Sequence, residues 1–362
     1  MKILFVAPHF PPAVGGVEHY VFNLALGLQQ RHKAEVVVVT SNAHGKKQIT
    51  EEYCGIKVYR LPVMMRVSNT PINPLWYFSL KKIICEEKPD IINSHQPVMF
   101  IGDMAAFVAG NIPFVLTYHA GTMKKKQFLI DIIISLYEQF VLPHTAKKAT
   151  KFICVSNFVQ NTLFKKYAAR VTIISPGVNT SLYTPDLKVK REANLVLFVA
   201  RHKTMYRMKG LYYLIEAVKM LPDVRLHIVG EAEESDNTNI EYVGVKQGKE
   251  LVEEMQKASV MVLPSLPHME SFGMVLIEAM ACQTPVIGTR IGGIPEVIRE
   301  GVDGFIVPPE DSNALALAIS KIVSDKELAN RMGQRGAEKV REQFTWDTRV
   351  DLTQEVFASC LK

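Results

Sequence analysis

The chain has 362 residues, 48% of them apolar and 22% charged, the mixture of a globular protein with a large core and length for about two domains. That composition excludes wholesale disorder and collagen-like repetition. No apolar run approaches the roughly 18 residues of a spanning helix. Five scattered cysteines without a C-x-x-C pair exclude a disulfide framework or a zinc knuckle and point to a reducing cytosol. Charge is uneven: residues 1–178 carry a net +10 and residues 179–362 a net −4. The basic half suits an anionic membrane face, a phosphate-bearing substrate or a merely solvated surface. Nothing in it resembles a groove-reading nucleic-acid motif.

The opening Lys2–Ala7 is too short for a signal peptide and reads as a first strand. Further strands are predicted at Glu35–Thr40, Asp90–Ser94, Pro113–Tyr118, Thr150–Val155 and Val171–Ile174. Between them, Val17–Arg31, Pro74–Glu87, Val98–Ala109 and Gln127–Leu142 have helical periodicity. Strands alternating with amphipathic helices predict a parallel sheet covered on both faces. The pattern breaks at Ser175–Asn179 and across the polar Tyr183–Glu192 stretch. It restarts with strands at Asn194–Ala200, Val224–Val229, Val260–Pro264 and Pro285–Gly288, and Phe344–Lys362 reads as one more helix. The architecture predicted is α/β: two doubly wound, Rossmann-like domains facing across a cleft, with ligands at the carboxyl ends of the strands.

No G-x-G-x-x-G fingerprint follows the first strand, which offers only Gly15-Gly16. Gly244–Glu250 imitates a phosphate-binding P-loop but is one residue short and lacks the Ser/Thr for Mg²⁺. No D-x-D and no zinc-type histidine spacing occurs, so no metal site is predicted. The informative segment is Val260–Ser265, a loop, then Glu270-Ser271-Phe272-Gly273-Met274-Val275-Leu276-Ile277-Glu278. It reads as a buried strand, a loop, a Ser271 cap and a helix whose first amides, at Phe272, Gly273 and Met274, offer a site for a diphosphate. Glu270 and Glu278, flanking that cradle, would accept hydrogen bonds from ligand hydroxyls, which suits a sugar nucleotide. The plain alternative is a capped helix with two solvated glutamates.

The segment resembles the two-glutamate signature of the family-4 retaining glycosyltransferases, of GT-B fold, also described as glycosyl transferases group 1. Pro11–Glu18, Tyr118-His119, Pro176–Asn179, Ala200-Arg201, Lys209-Gly210, Gly292–Glu296 and Gly304 with Pro308 follow in the family's order, so the resemblance spans nearly the whole chain. It implies a first, acceptor-side domain over 1–178, joined by 346–362, and a second, nucleotide-sugar-binding domain over 179–345. It implies that Glu270 binds donor-sugar hydroxyls, that Glu278 binds the ribose, and that Arg201 and Lys209 neutralise the diphosphate in place of a metal. Gly15 and Gly16 would close on the phosphates, His119 would lie near the sugar, and the base would lie against Gly244-Val245. The reaction implied is transfer of a hexose-type sugar from a nucleotide diphosphate sugar to an acceptor hydroxyl with retention, needing no cofactor or metal.

Three positions depart from the family pattern. Arg201 and Lys209 are separated by an extra stretch, His202–Met208, which opens the cation's role to Arg207. Gln283 stands where glycine is usual, and Asn179 where aspartate is. For the acceptor, Lys124-Lys125-Lys126 before an apolar helix, and Trp76-Tyr77-Phe78 with Lys81-Lys82, suggest a cytoplasmic enzyme peripheral to an anionic membrane, acting on a sugar or lipid-linked acceptor. The rival is that both helices pack on the sheet with a wet basic side. A noncatalytic nucleotide-sugar-binding protein, or a glycoside hydrolase using Glu270 and Glu278, are the other functional readings.

Overall fold

The chain divides into two compact units, Met1–Gly177 with Trp346–Lys362, and Val178–Thr345. The computed structural model describes all residues except 14, 43–44, 68–69, 125–127, 187, 234–236, 268–269 and 362. Lys125 and Lys126 of the basic cluster, and Val14 beside the paired glycines, therefore lie outside the described residues.

The first unit contains β1 (Lys2–Val6), β2 (Glu35–Ser41), β3 (Ile49–Tyr53), β4 (Ile56–Leu61), β5 (Met65–Val67), β6 (Thr70–Ile72), β7 (Ile91–Gln96), β8 (Phe114–Tyr118), β9 (Lys151–Cys154) and β10 (Val171–Ile173). Eight of them form a sheet in the order β10-β9-β8-β7-β1-β2-β4-β3, and β5 and β6 make a separate ribbon. Alternation along the strands separates two cores. Leu4, Val6, Val37, Val39, Ile92 and Leu116 face the helices Trp76–Glu87 and Ile101–Val108. Ile3, Phe5, Val36, Val38, Ile91 and Val115 face the helices Gly16–His32 and Trp346–Cys360. Burial on both faces is why these strands read as unbroken apolar runs.

The sheet is parallel except at its edge, where β3 runs antiparallel to β4. This hairpin is absent from the sequence reading. Its outer strand, Ile-Thr-Glu-Glu-Tyr, is largely exposed and carries the charges of an edge strand rather than a core run. Its turn, Cys54-Gly55, has φ of 52° and 78°, the two-residue geometry that follows strand twist. The helix expected over 127–142 is Phe128–Leu136, followed by a wider π turn, Tyr137–Val141, and a further helix, Leu142–Lys148.

The second unit contains β11 (Leu195–Val199), β12 (Arg225–Val229), β13 (Ile240–Gly244), β14 (Val260–Leu263), β15 (Val286–Thr289) and β16 (Gly304–Val307). They form one parallel sheet in the order β13-β12-β11-β14-β15-β16. Chain order reverses between β11 and β14, which creates a crevice at their carboxyl ends. Neither edge, β13 or β16, has the unbroken apolar run that marks a central strand in the sequence. Each begins or ends in glycine and is less completely buried than the central strands.

Candidate active site

At the reversal point, Ala200-Arg201 follows β11 and Pro264-Ser265 follows β14. The extra stretch after Arg201 is a short helix, Lys203–Met208. The buried Tyr206 pins it by donating to the Glu231 carbonyl, and the Glu231 carboxylate meets His202 Nδ1 and the Lys203 amide, each at 3.0 Å. Arg207 is exposed on this helix, whereas Lys209, just beyond it, turns inward and donates to the Val199 carbonyl at 3.3 Å. The insertion thus docks against the loop after β12 and leaves the Lys209 ammonium at the end of the central strand. Gly210 makes this approach possible: its φ is +71°, and a Cβ there would lie 2.0 Å from the Pro264 carbonyl oxygen.

The Glu270–Glu278 segment departs from expectation at its cap. The helix runs Met274–Ala281 with Gly273, φ 95°, in the cap position, not Ser271. The amides of Phe272 and Gly273, expected to be free, both point at Glu270: its Oε1 accepts from Gly273 N at 2.9 Å and lies 3.5 Å from Phe272 N. Glu270 therefore supplies the anion at its own helix start, where the aligned peptide dipoles favour negative charge. The Gly292-Gly293 turn supports this loop from behind. A Cβ on Gly292 would lie 1.7 Å from the Glu270 carbonyl oxygen, and one on Gly293 would lie 2.2 Å from that of Ser271.

Glu278, in the same helix, is partly open to solvent but hemmed in by protein. Burial pushes its carboxyl up to about 7, against the opposing pull of the Lys209 ammonium and of a hydrogen bond from the Tyr183 hydroxyl. Lys209, Glu278 and Tyr183 thus form one electrostatic group, of which the sequence reading has the first two. Tyr183 begins the polar stretch between the two units' sheets, and its link to Glu278 is made only by the fold. Gln283, just past this helix, has φ +62°, the left-handed conformation that its glycine-like position requires. At the far side of the crevice Gly244 closes β13 with φ +79°, its carbonyl accepting from Gly230 N at 3.0 Å, and Val245 is exposed. Among the described residues no group of three His, Cys, Asp or Glu side chains is disposed to hold a metal ion. A cavity of about 800 Å³ in this unit lies at the opposite, amino ends of the strands. Arg191, Glu192, Arg225, Ser259 and Lys326 are among its lining residues, and none of the predicted site residues is.

In the first unit, Gly15 precedes the helix Gly16–His32 in extended backbone, and the Glu18 carboxylate occupies the space over it. The helix carries the fully buried Tyr20 to His119, ring centroids 4.7 Å apart. His119 follows β8 and its amide donates to the Gln96 carbonyl at 2.9 Å. Its Nε2 meets His95 Nδ1 at 3.1 Å. Burial lowers His119 to about 3 and drives His95 far below the usual range, so both rings are neutral at physiological pH. Gly15, Gly16 and His119 are thereby gathered at one end of this unit around Tyr20. His95 is a residue the sequence reading misses. Alternation along β7 and its parallel neighbour β8 would have placed it on the face of His119.

The family described as Glycosyltransferase Family 4 matches residues 14–182, and that described as Glycosyl transferases group 1 matches residues 183–339. The chain is 27% identical to the phosphatidyl-myo-inositol mannosyltransferase of Mycolicibacterium smegmatis, over 96% of this chain and 90% of that protein. It is 26% identical to O-antigen chain mannosyltransferase C of Escherichia coli, over 100% and 99%. Among solved structures, Anabaena Alr3699/HepE in complex with UDP-glucose superposes with a TM-score of 0.74 at 20% identity, covering 99% of this chain and all of that one.

Proposed function

Because the chain belongs to the group 1 glycosyltransferases and has their GT-B fold, we propose that it moves a hexose-type sugar from a nucleotide diphosphate sugar to an acceptor hydroxyl, with retention and without a metal. The observation that carries this reading is the group at the reversal point of the second sheet, where Lys209 stands by the half-buried Glu278 and Glu270 is braced on helix amides. The binding of UDP-glucose by the HepE protein of the same fold supports a nucleotide-sugar donor.

Each residue has a physical task in this scheme. Glu270 Oε1 is fixed by the Gly273 amide, which leaves Oε2 to accept from sugar hydroxyls. Glu278 accepts from the ribose hydroxyls, and their hydrogen bonds favour its ionised form. Because Glu270 already occupies the Phe272 and Gly273 amides, the diphosphate falls to Arg201 and Lys209. Charge grows on the diphosphate as the glycosidic bond breaks, so fixed cations there stabilise the transition state more than the ground state. Gly244 and Val245 offer backbone and an apolar face to the base.

The acceptor is proposed to be lipid-linked and met at an anionic membrane surface. No described helix is long and apolar enough to cross a membrane. Ile132, Ile133, Leu136 and Phe140 nevertheless stand exposed along one stripe, with Lys124 before it, and Phe78 is exposed on the helix that carries the exposed Lys81 and Lys82. The mannosyltransferase of Mycolicibacterium smegmatis, named for phosphatidyl-myo-inositol, supports a lipid acceptor.

The test is a thermal-shift and turnover screen of UDP-, GDP- and ADP-sugars in EDTA. One donor should stabilise the protein and be consumed, with the product anomer matching the donor. Glu270→Ala and Lys209→Ala should fold and lose transfer. Unaltered transfer in both variants would overturn the site assignment.

A further inference from the structure

His95 and His119 are joined in a way that fixes more than their positions. β7 and β8 are paired in parallel register, His95 opposite Thr117, so the two imidazoles stand on the same face of the sheet. Their planes differ by only 17°, and their centroids are 5.4 Å apart. That separation exceeds the 3.1 Å Nδ1–Nε2 distance by about one ring diameter, so the nitrogens lie on the line between the centroids. The rings therefore meet edge to edge, in one plane, as an N–H···N hydrogen bond and not as a face-to-face stack.

Two neutral imidazoles in this arrangement share one proton between the facing nitrogens, and its owner decides the tautomer of both. The deciding atom is at the far side of His95. Its Nε2 is buried without a partner, and the residue is fully enclosed beside Phe5 and Tyr20, ring centroids at 5.2 and 5.9 Å. A proton there would be a buried N–H with no acceptor, a rarer and costlier defect than a bare lone pair. An N–H···π contact to those rings is a second-order compensation. The proton of His95 thus belongs on Nδ1, where it is donated to His119 Nε2. His119, neutral and accepting at Nε2, must then carry its own proton on Nδ1.

We propose that His95 is a positioning residue that sets the tautomer of His119, so that His119 presents an Nδ1–H donor, and not a basic lone pair, to an oxygen of the bound ligand. The partial exposure of His119 leaves this nitrogen available, while its main chain is clamped by the Gln96 carbonyl. Gln96 is held in turn, its side chain donating to the buried Asp103 at 3.1 Å. Consecutive residues of β7 therefore orient the ring and the backbone of His119. The consequence for sugar transfer rests on the function proposed above; the tautomer itself does not.

The experiment is 15N NMR of the full chain labelled at histidine, with the two rings assigned by substitution. The expected spectrum at pH 7 has both His95 and His119 protonated at Nδ1. His95→Asp, which sets an acceptor where the Nδ1–H donor stood, should move the His119 proton to Nε2 while the protein still melts cooperatively. His95→Asn, whose side-chain NH₂ stands where Nδ1 does, should keep it on Nδ1. In turnover, His95→Asp should lower kcat by about tenfold with little change in donor KM, and His95→Asn should recover most of the loss. A native His119 protonated at Nε2, or a His119 tautomer indifferent to His95→Asp, would overturn the proposal. If the native protein consumes no nucleotide sugar, the functional reading fails, and the spectrum still decides the tautomer.

Discussion

Glu278 is the residue whose environment makes the sharpest demand. Its ordinary value of 4.5 is raised to about 7, so between those limits the native protein holds a proton that the unfolded chain has released. Stability must then fall as pH rises through that window. Melting of the unliganded protein should show this downward slope, and Glu278→Gln should flatten it. A melting curve set with equal slopes in both proteins would refute the burial assigned to this carboxyl. If the proposed ribose contact favours the ionised form, nucleotide affinity should rise from pH 5 to pH 8 in the native protein only. Gly292 makes a second residue-scale prediction. Alanine there would have to adopt φ +54°, at about 1–2 kcal/mol, and push the Glu270 carbonyl aside. Gly292→Ala should lower stability by at least that much, measured by denaturant titration, and abolish transfer by displacing Glu270.

At the scale of elements, the exposed stripe on Phe128–Leu136 and the turn after it separates membrane docking from packing. Phe140 is 58% exposed and Ile133 49%, so serine at both positions should leave the melting temperature within a degree or two. Flotation with anionic vesicles should nevertheless be lost. Retained flotation would place the contact elsewhere. The elements also show where sequence is informative. Val36–Val39 and Val260–Leu263 are buried on both faces, and their uninterrupted apolar runs make them readable as central parallel strands. The edge strands β3, β13 and β16 carry charge, glycine or exposure, and so lack that signal. The cap at Gly273 was illegible for another reason: Ser271 has the right chemistry for a cap, but Glu270 reaches the same amides and the helix starts later. Lys209 and Glu278 were legible because motif order survives an insertion. Tyr183 and His95 were not, because each matters through a partner more than twenty residues away.

At the scale of the whole molecule, the chain leaves the first unit at Gly177 and returns to it at Trp346. The returning helix is no appendage. Trp346 meets Tyr20 at 5.4 Å, Phe357 meets Phe5 at 6.4 Å, and Asp351 accepts from Arg31 at 2.7 Å. A Cβ on Gly27 would lie 2.4 Å from Val350, so the two helices approach closely there. Phe357 is fully buried, and Phe357→Ala should cost about 3–5 kcal/mol. Calorimetry should show the loss as a lowered transition. A variant that melts like the native protein would show that the helix contributes little to that core.

This return has a consequence for biosynthesis. A ribosome makes residues in order, and domains commonly fold as they emerge. Here the part begun first is finished last: all of residues 178–345 must be translated before the segment that seals Tyr20 and Phe5 exists. During that interval the nascent amino-terminal half keeps an apolar flank open, and it is the half a chaperone would be expected to hold.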